Sequence, residues 1–277
     1  LPNDVAYNET CAAVANIFFN HAMFLAQGDG KFWDVAEIAL FNNALAGVSL
    51  NGNRFFYVNP LSTDGIAPFY HGTAGRAPWF GCACCPPNIS RLILQTPGFM
   101  YSHTAQDIYV TLYAGNAATI GLPEGKVALT QQTDYPFDGR IRLTVEPEQA
   151  MKFALRLRIP SWAQGNQFIP EGLYSFLEQE HPSWRLLVNG KEVSPAMEKG
   201  FAVLSRRWQR GDVVELFLPT QPRFVKADER LQADFGCVAA TRGPLVYCAE
   251  SVDNQPDFLQ TQWDAGILTE RVSSDSL

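Results

Sequence analysis

The chain has 277 residues, 47% of them hydrophobic and 18% charged, with 21 Lys and Arg against 28 Asp and Glu for a formal net charge of −7. This composition excludes a disordered or charged-tail protein, and the acidic balance excludes a nucleic-acid binder, which needs a basic stripe to release phosphate counterions. No apolar run is long enough for a membrane span, so a soluble protein of one large or two ordinary domains is expected, burying roughly 70–75% of its extended surface without a metal or disulfide to make its core.

The first residue is Leu1, and neither a basic n-region nor an apolar h-region precedes Pro2, so the sequence is silent on export. From Glu9 to about Leu25, Val14, Ile17, Phe18, Phe19, Ala22 and Met23 recur at helical spacing. Gln27-Gly28-Asp29-Gly30 interrupts them, and a second helical run from Phe32 to Leu45 ends at Gly47. This αα-hairpin is apolar on nearly all sides, so its expected partners are further helices of a barrel or bundle. Arg54-Phe55-Phe56-Tyr57-Val58 reads as a short strand stopped by Asn59-Pro60. A long loop through His71 and Trp79 leads to Cys82, and loops of that kind are functional or disordered. Pro86-Pro87-Asn88 then reads as a stop and an N-cap for a short helix from Ile89 to Leu94, ended by Pro97-Gly98.

After Gly98 the period changes to two. Ile108–Tyr113, Val127–Thr130 and Val213–Leu218 are β-rich, as is Leu245–Cys248. Ile141, Leu143 and Val145 alternate with Arg140, Arg142 and Thr144, and Phe153, Leu155, Leu157 and Ile159 alternate with Lys152, Ala154, Arg156 and Arg158. Leu186-Leu187-Val188 runs into Asn189-Gly190, a strong hairpin signal. Many short alternating strands separated by turns predict a β-sandwich. The predicted organisation is α+β and multidomain, with residues 1–97 helical and carrying the cysteine loop and residues 98–277 forming the β-sandwich region.

The chemistry sits in Glu9-Thr10-Cys11 and Cys82-Ala83-Cys84-Cys85. Zinc takes thiolates and carboxylate oxygens, usually four in a tetrahedron. Adjacent Cys84 and Cys85 can share one ion from a turn, which Pro86-Pro87 would hold open. Glu9 and Cys11 point about 200° apart within a helix and converge only if Glu9 is extended, which puts the helix start at Thr10 or Cys11. The alternative for Cys11 alone is a buried core thiol, and for the set a structural rather than catalytic zinc. Cys237 and Cys248, in predicted strands, read as core thiols or as a disulfide pair. Glu37 stands on the second apolar helix, either near solvent at a helix crossing or in a polar pocket. Tyr57 reads as core with a satisfied hydroxyl, and His21 as a core histidine. His71 could face a site. Trp79-Phe80 is either a sugar-stacking platform or a loop anchor.

Leu1-Pro2-Asn3-Asp4, Glu9-Thr10-Cys11-Ala12-Ala13, Phe55-Phe56-Tyr57-Val58-Asn59-Pro60 and Cys82-Ala83-Cys84-Cys85-Pro86-Pro87-Asn88 occur in that order. With Ile159-Pro160-Ser161-Trp162-Ala163 and Arg242-Gly243-Pro244-Leu245-Val246-Tyr247, they resemble glycoside hydrolase family 127, the β-L-arabinofuranosidases formerly grouped as DUF1680. The resemblance implies that residues 1–97 are the last helices and zinc loop of an (α/α)6 catalytic barrel, followed by the sandwich. It implies Zn2+ held by Glu9, Cys11, Cys84 and Cys85, with Cys84 as nucleophile, Cys82 as a bystander, and Glu37 and Tyr57 touching the sugar. A thiolate then takes the place of the carboxylate nucleophile of an ordinary retaining glycosidase. The family's acid/base glutamate lies before the Leu-Pro-Asn-Asp segment, so the chain is expected to be the C-terminal portion of a larger enzyme, slow or inactive by itself.

The substrate implied is a small oligosaccharide or plant glycan, with no nucleic acid or membrane as partner. The compartment is left open between bacterial cytoplasm and periplasm, and the oligomeric state is unspecified. The competing reading is a non-catalytic sandwich module with a structural Cys3Glu zinc, serving carbohydrate binding or domain packing. A thiol redox protein is the third, without a thioredoxin-like βαβ context to support it.

Overall fold

The structure, a computed structural model, describes residues 3, 6–68, 73–165, 172–178 and 183–250. His71, and Leu1, Pro2 and Asp4 of the first motif, lie outside the described residues. Among those described, no helix is long and apolar enough to cross a membrane.

The first predicted helix is α1, Thr10–Gln27, which buries Val14, Ile17 and Phe24. Gly28 closes it at φ 63° and returns its N–H to the Phe24 carbonyl, the left-handed cap that glycine adopts without strain. α2, Lys31–Ala39, follows. The rest of the second predicted helix, Leu40–Ala44, is a π-helical turn, a form hidden from a periodicity reading.

Two expectations are corrected. Arg54–Val58 forms no regular strand: Phe55 bridges both Val48 and Ala77, while Val58 bridges Glu9. Its backbone groups are shared among three segments, so no continuous ladder develops. The third helix starts four residues before Ile89. It is α3, Cys85–Gln95, with Cys84 rather than Asn88 at its cap. Pro86 and Pro87 occupy its first turn, where N–H groups have no intrahelical partner and proline forfeits no bond.

Fifteen strands follow among the described residues: β1 (Tyr101–His103), β2 (Asp107–Val110), β3 (Asn116–Leu122), β4 (Gly125–Thr133), β5 (Arg140–Pro147), β6 (Met151–Arg158), β7 (Tyr174–Phe176), β8 (Arg185–Val188), β9 (Lys191–Glu192), β10 (Ala196–Glu198), β11 (Phe201–Trp208), β12 (Asp212–Phe217), β13 (Pro222–Ala227), β14 (Val238–Arg242) and β15 (Leu245–Val246). They form a five-stranded sheet, β1-β2-β6-β11-β10, a six-stranded sheet, β3-β4-β5-β12-β8-β9, and a four-stranded sheet, β15-β14-β13-β7. The first two sheets share one apolar core, in which Ile108, Leu155 and Leu157 meet Leu129, Leu143, Val145 and Val214, as the alternation requires of a sandwich. The third sheet was not foreseen as separate.

The outer face of the five-stranded sheet is covered as well. Phe24 and Trp33, from the helical hairpin, share a second core with Leu112 and Phe201. The turn between β10 and β11 reaches the turn between α1 and α2: the Gly30 N–H donates to the Lys199 carbonyl at 2.8 Å, and Lys199 Nζ donates to the Gln27 carbonyl at 2.8 Å. A Cβ on Gly30 would lie 3.2 Å from that same carbonyl oxygen, so the close approach depends on glycine. Lys199 and Gly200 have φ values of 48° and 82°, and the foreseen Asn189-Gly190 hairpin has 51° and 75°, both fitting the twist of two-residue hairpins.

Candidate metal centre

Glu9 is the residue before α1, in extended geometry at φ −70° and ψ 134°, which is what convergence with Cys11 requires. The Thr10 N–H donates to the Tyr57 carbonyl at 2.9 Å, anchoring this segment to Phe56–Val58. The Thr10 side chain is fully buried. Its hydroxyl donates to the Phe56 carbonyl at 3.0 Å and accepts Asn59 Nδ2 at 2.8 Å. Asn59 Nδ2 also donates to Asn43 Oδ1 at 2.9 Å, and Asn43 Nδ2 to Asn8 Oδ1 at 2.6 Å. Gly47 leaves room for this hub, since a Cβ there would lie 2.9 Å from Thr10 Oγ1. Sequence reading missed the network; its signal is the set of asparagines flanking the two motifs.

Cys84 and Cys85 stand at the head of α3. The carboxylate oxygen and the three sulfurs of Glu9, Cys11, Cys84 and Cys85 all lie within 4.8 Å of one another. Cys11 Sγ is 3.3 Å from Cys85 Sγ, and Cys84 Sγ is 3.7 Å from Cys85 Sγ. Glu9 Oε1 is 3.5 Å from Cys84 Sγ and 4.0 Å from Cys85 Sγ. Tetrahedral zinc requires sulfur–sulfur separations of about 3.8 Å and sulfur–oxygen separations of about 3.6 Å. The Cys84–Cys85 and Glu9–Cys84 separations match these values while Cys11–Cys85 is shorter and Glu9–Cys85 longer, the chemistry of the donor set fits the ion, and all three thiols are free. Burial pushes the Cys11 and Cys85 thiols up, so a cation is the partner that would let them ionise.

Tyr57 joins this site: its hydroxyl lies 3.2 Å from Cys84 Sγ, and its ring meets Phe80 edge-on at 5.5 Å. The hydrogen bond with Cys84 first, and burial second, push its hydroxyl up. Cys82 is exposed and stands 3.9 Å from the Tyr57 hydroxyl, at the rim. Phe80 is buried and anchors the loop, while Trp79 is 61% exposed. His21 is half-buried, with its ring against Trp33 and Phe99. Cys237 and Cys248 are corrected: both are exposed and free, lying just outside β14 and β15 rather than inside strands.

Glu37 takes the polar-pocket alternative rather than a place near solvent. The resemblance implied a sugar contact, and the side chain is fully buried between α2 and the sheets. Its Oε1 accepts the Tyr135 hydroxyl at 2.7 Å and pairs with Arg158. Arg158, read as an outward residue of an alternating strand, is also fully buried, because the helical hairpin covers that face. Its Nη1 pairs with Asp34 Oδ1 at 2.8 Å, and its Nε donates to the Thr111 carbonyl at 2.7 Å.

Two carboxylates thus share one guanidinium. Burial first, and the charge of Glu37 second, push Asp34 up to about 6 against the pull of Arg158. Between the ordinary carboxyl pKa of about 3.9 and about 6, the folded chain holds a proton that the unfolded chain has released. Stability therefore falls as pH rises through that window. Asp34→Asn is expected to flatten this slope in thermal unfolding between about pH 4 and 7; an unchanged slope would show that Asp34 does not titrate there.

Residues 1–98 match a family model described as beta-L-arabinofuranosidase, GH127 catalytic domain; residues 107–220 match the GH127 middle domain, and residues 222–273 the glycoside hydrolase family 127 C-terminal domain. A non-reducing end beta-L-arabinofuranosidase of Bifidobacterium longum subsp. longum is 39% identical over 267 residues, 93% of this chain and 38% of that protein. A solved GH127 beta-arabinofuranosidase superposes with a TM-score of 0.86 at 44% identity, covering 92% of this chain and 39% of the other. A GH127 beta-L-arabinofuranosidase from Geobacillus stearothermophilus T6 gives 0.81 at 39% identity, covering 92% and 38%. The chain spans about two-fifths of the length of these relatives.

Proposed function

The chain belongs to glycoside hydrolase family 127, and from that premise we propose that it carries the metal site and the nucleophile of a retaining β-L-arabinofuranosidase. The observation that carries this reading is the convergence of Glu9, Cys11, Cys84 and Cys85. These four residues would hold zinc, which when bound keeps thiols ionised at neutral pH, where a free thiol is mostly protonated.

Cys84 is the nucleophile in this reading. Cys85 is fully buried, whereas Cys84 is half-buried, with the Tyr57 hydroxyl beside it to orient it. The Cys84 sulfur attacks the anomeric carbon, and the glycosidic C–O bond breaks as a carboxylic acid gives the leaving oxygen a proton. The resulting carboxylate takes a proton from water, which attacks the same carbon; the C–S bond returns its electrons to Cys84, the acid is restored, and two inversions give retention. Among the described residues the metal cluster contains one carboxylate, Glu9, which is committed as a ligand. In this reading the acid/base is therefore a carboxyl group other than Glu9. Tyr57 faces the sugar in this scheme. α1 and α2 serve as the closing helices of the barrel, a role supported by Phe19 and Leu25, which stand 62% and 60% exposed. The substrate is a β-L-arabinofuranoside of a small oligosaccharide or plant glycan.

Metal analysis by mass spectrometry, with a thiol count, tests the site on the intact protein. About one zinc per chain is expected, lost on Glu9→Ala. Absence of metal, with Cys84 and Cys85 oxidised or freely reactive, would overturn the reading in favour of a non-catalytic sandwich module.

A further inference from the structure

Three thiolates and a carboxylate around a divalent cation leave a net charge of −2, so this donor set requires positive or hydrogen-bond-donating groups around it. The Asn88 amide Nδ2 donates to Cys11 Sγ at 3.1 Å. Its Oδ1 in turn accepts from Arg91 Nη2, and the Arg91 guanidinium lies over the Phe18 ring, 5.7 Å from its centroid. Asn88 and Arg91 are three residues apart on α3, and Cys11 and Phe18 are seven apart on α1. Each pair therefore occupies one helix face, and the two faces meet with sulfur opposite amide and ring opposite guanidinium.

The chemistry fixes the direction of this chain. Arginine only donates, so the asparagine oxygen must face Arg91, and the NH2 group is left for the sulfur. A free asparagine could present either end to Cys11; one held by Arg91 presents the donor. We propose that Asn88, oriented by Arg91, is the positioning residue that stabilises Cys11 as a metal-bound thiolate and passes part of the arginine's charge to an over-anionic site. Cys11 is thereby kept as a ligand that does not react, which leaves attack to Cys84.

This inference rests on the metal reading above, and its failure is separable from the failure of that reading. Zinc affinity of the intact protein is measured by competition with a chromophoric chelator, for wild type, Asn88→Ala, Asn88→Asp and Arg91→Met. Loss of an outer-shell partner typically costs about 10–100-fold in metal affinity. Asn88→Ala is expected to fall in that range, and Asn88→Asp, which sets a carboxylate against the thiolate, is expected to lose more. Arg91→Met, at an exposed position where methionine can still cover Phe18, is expected to lose less than Asn88→Ala but measurably. Cobalt(II) substitution adds a readout that packing alone does not move: the sulfur-to-metal charge-transfer absorption should shift in the Asn88 variants. Unfolding of the metal-free proteins identifies any variant whose fold is lost, and Arg91→Met then carries the test. Wild type that binds no metal would sink the metal reading. Wild type that binds metal, with affinity and absorption unchanged in the variants, would overturn this inference alone.

Discussion

Replacing Cys84 by serine is expected to cut turnover of a β-L-arabinofuranoside by at least about 10^3-fold in the intact protein, the scale seen when a covalent nucleophile is removed. Cys84 also belongs to the metal cluster, so zinc binding weakens too, and the informative quantity is turnover per bound zinc. Serine keeps the shape of the residue and can still ligate weakly, but its hydroxyl is a far poorer nucleophile near neutral pH. A catalytic thiolate predicts that activity per zinc collapses while circular dichroism and substrate binding persist. Turnover per zinc within about tenfold of wild type would end the assignment. Loss of fold together with metal would identify a structural ion instead.

The largest stability effect is expected at Arg158. Arg158→Met leaves Asp34 and Glu37 facing each other in the interior without their counter-charge, and breaking a buried pair in this way typically costs about 3–5 kcal/mol. The hydrogen bonds to the Thr111 carbonyl and from the Tyr113 hydroxyl (2.6 Å, to the Arg158 carbonyl) tie the same residue to the segment that links β2 to β3. Urea unfolding measures the cost, and a loss below about 1 kcal/mol would mean that the carboxylates are relieved by protonation or by water. Replacing Arg158, Asp34 and Glu37 together by apolar residues of similar volume is expected to recover most of the loss, because a buried triad is expensive to desolvate in the first place.

How far such features can be read beforehand depends on whether their partners are local. The start of α1 at Thr10 followed from one stereochemical demand, that Glu9 and Cys11 converge. The Asn189-Gly190 turn followed from residue types alone. The gathering of Glu9, Cys11, Cys84 and Cys85 was legible because a cysteine cluster has few other uses, although the family resemblance supplied which cysteine stands outside it. Arg158 was not legible: its pairs with Asp34 and Glu37 span 124 and 121 residues, and on strand periodicity it belonged to the wet face. Nothing local reports that helices will cover that face. Pro86-Pro87 misled for the opposite reason, since the same dipeptide that stops one helix fits the first turn of another. Cys237 and Cys248 were misplaced because cysteine's preference for burial is an average over proteins and neither sits within the short strands it adjoins.

Two turns of one conformational class have opposite engineering properties. At Asn189-Gly190 the glycine has open space around it, and the hairpin it closes ends in β9, whose two residues are exposed. A reporter peptide or an affinity tag can be spliced after Gly190 at the cost of a longer surface loop alone. At Lys199-Gly200 a Cβ on the glycine would lie 3.4 Å from Gly30 Cα, and the same splice would push a wedge between the sandwich and the helical hairpin whose first helix follows Glu9 and carries Cys11. One turn is a handle for immobilising or labelling the protein, and the other is where a graft would pry the candidate metal centre from its foundation.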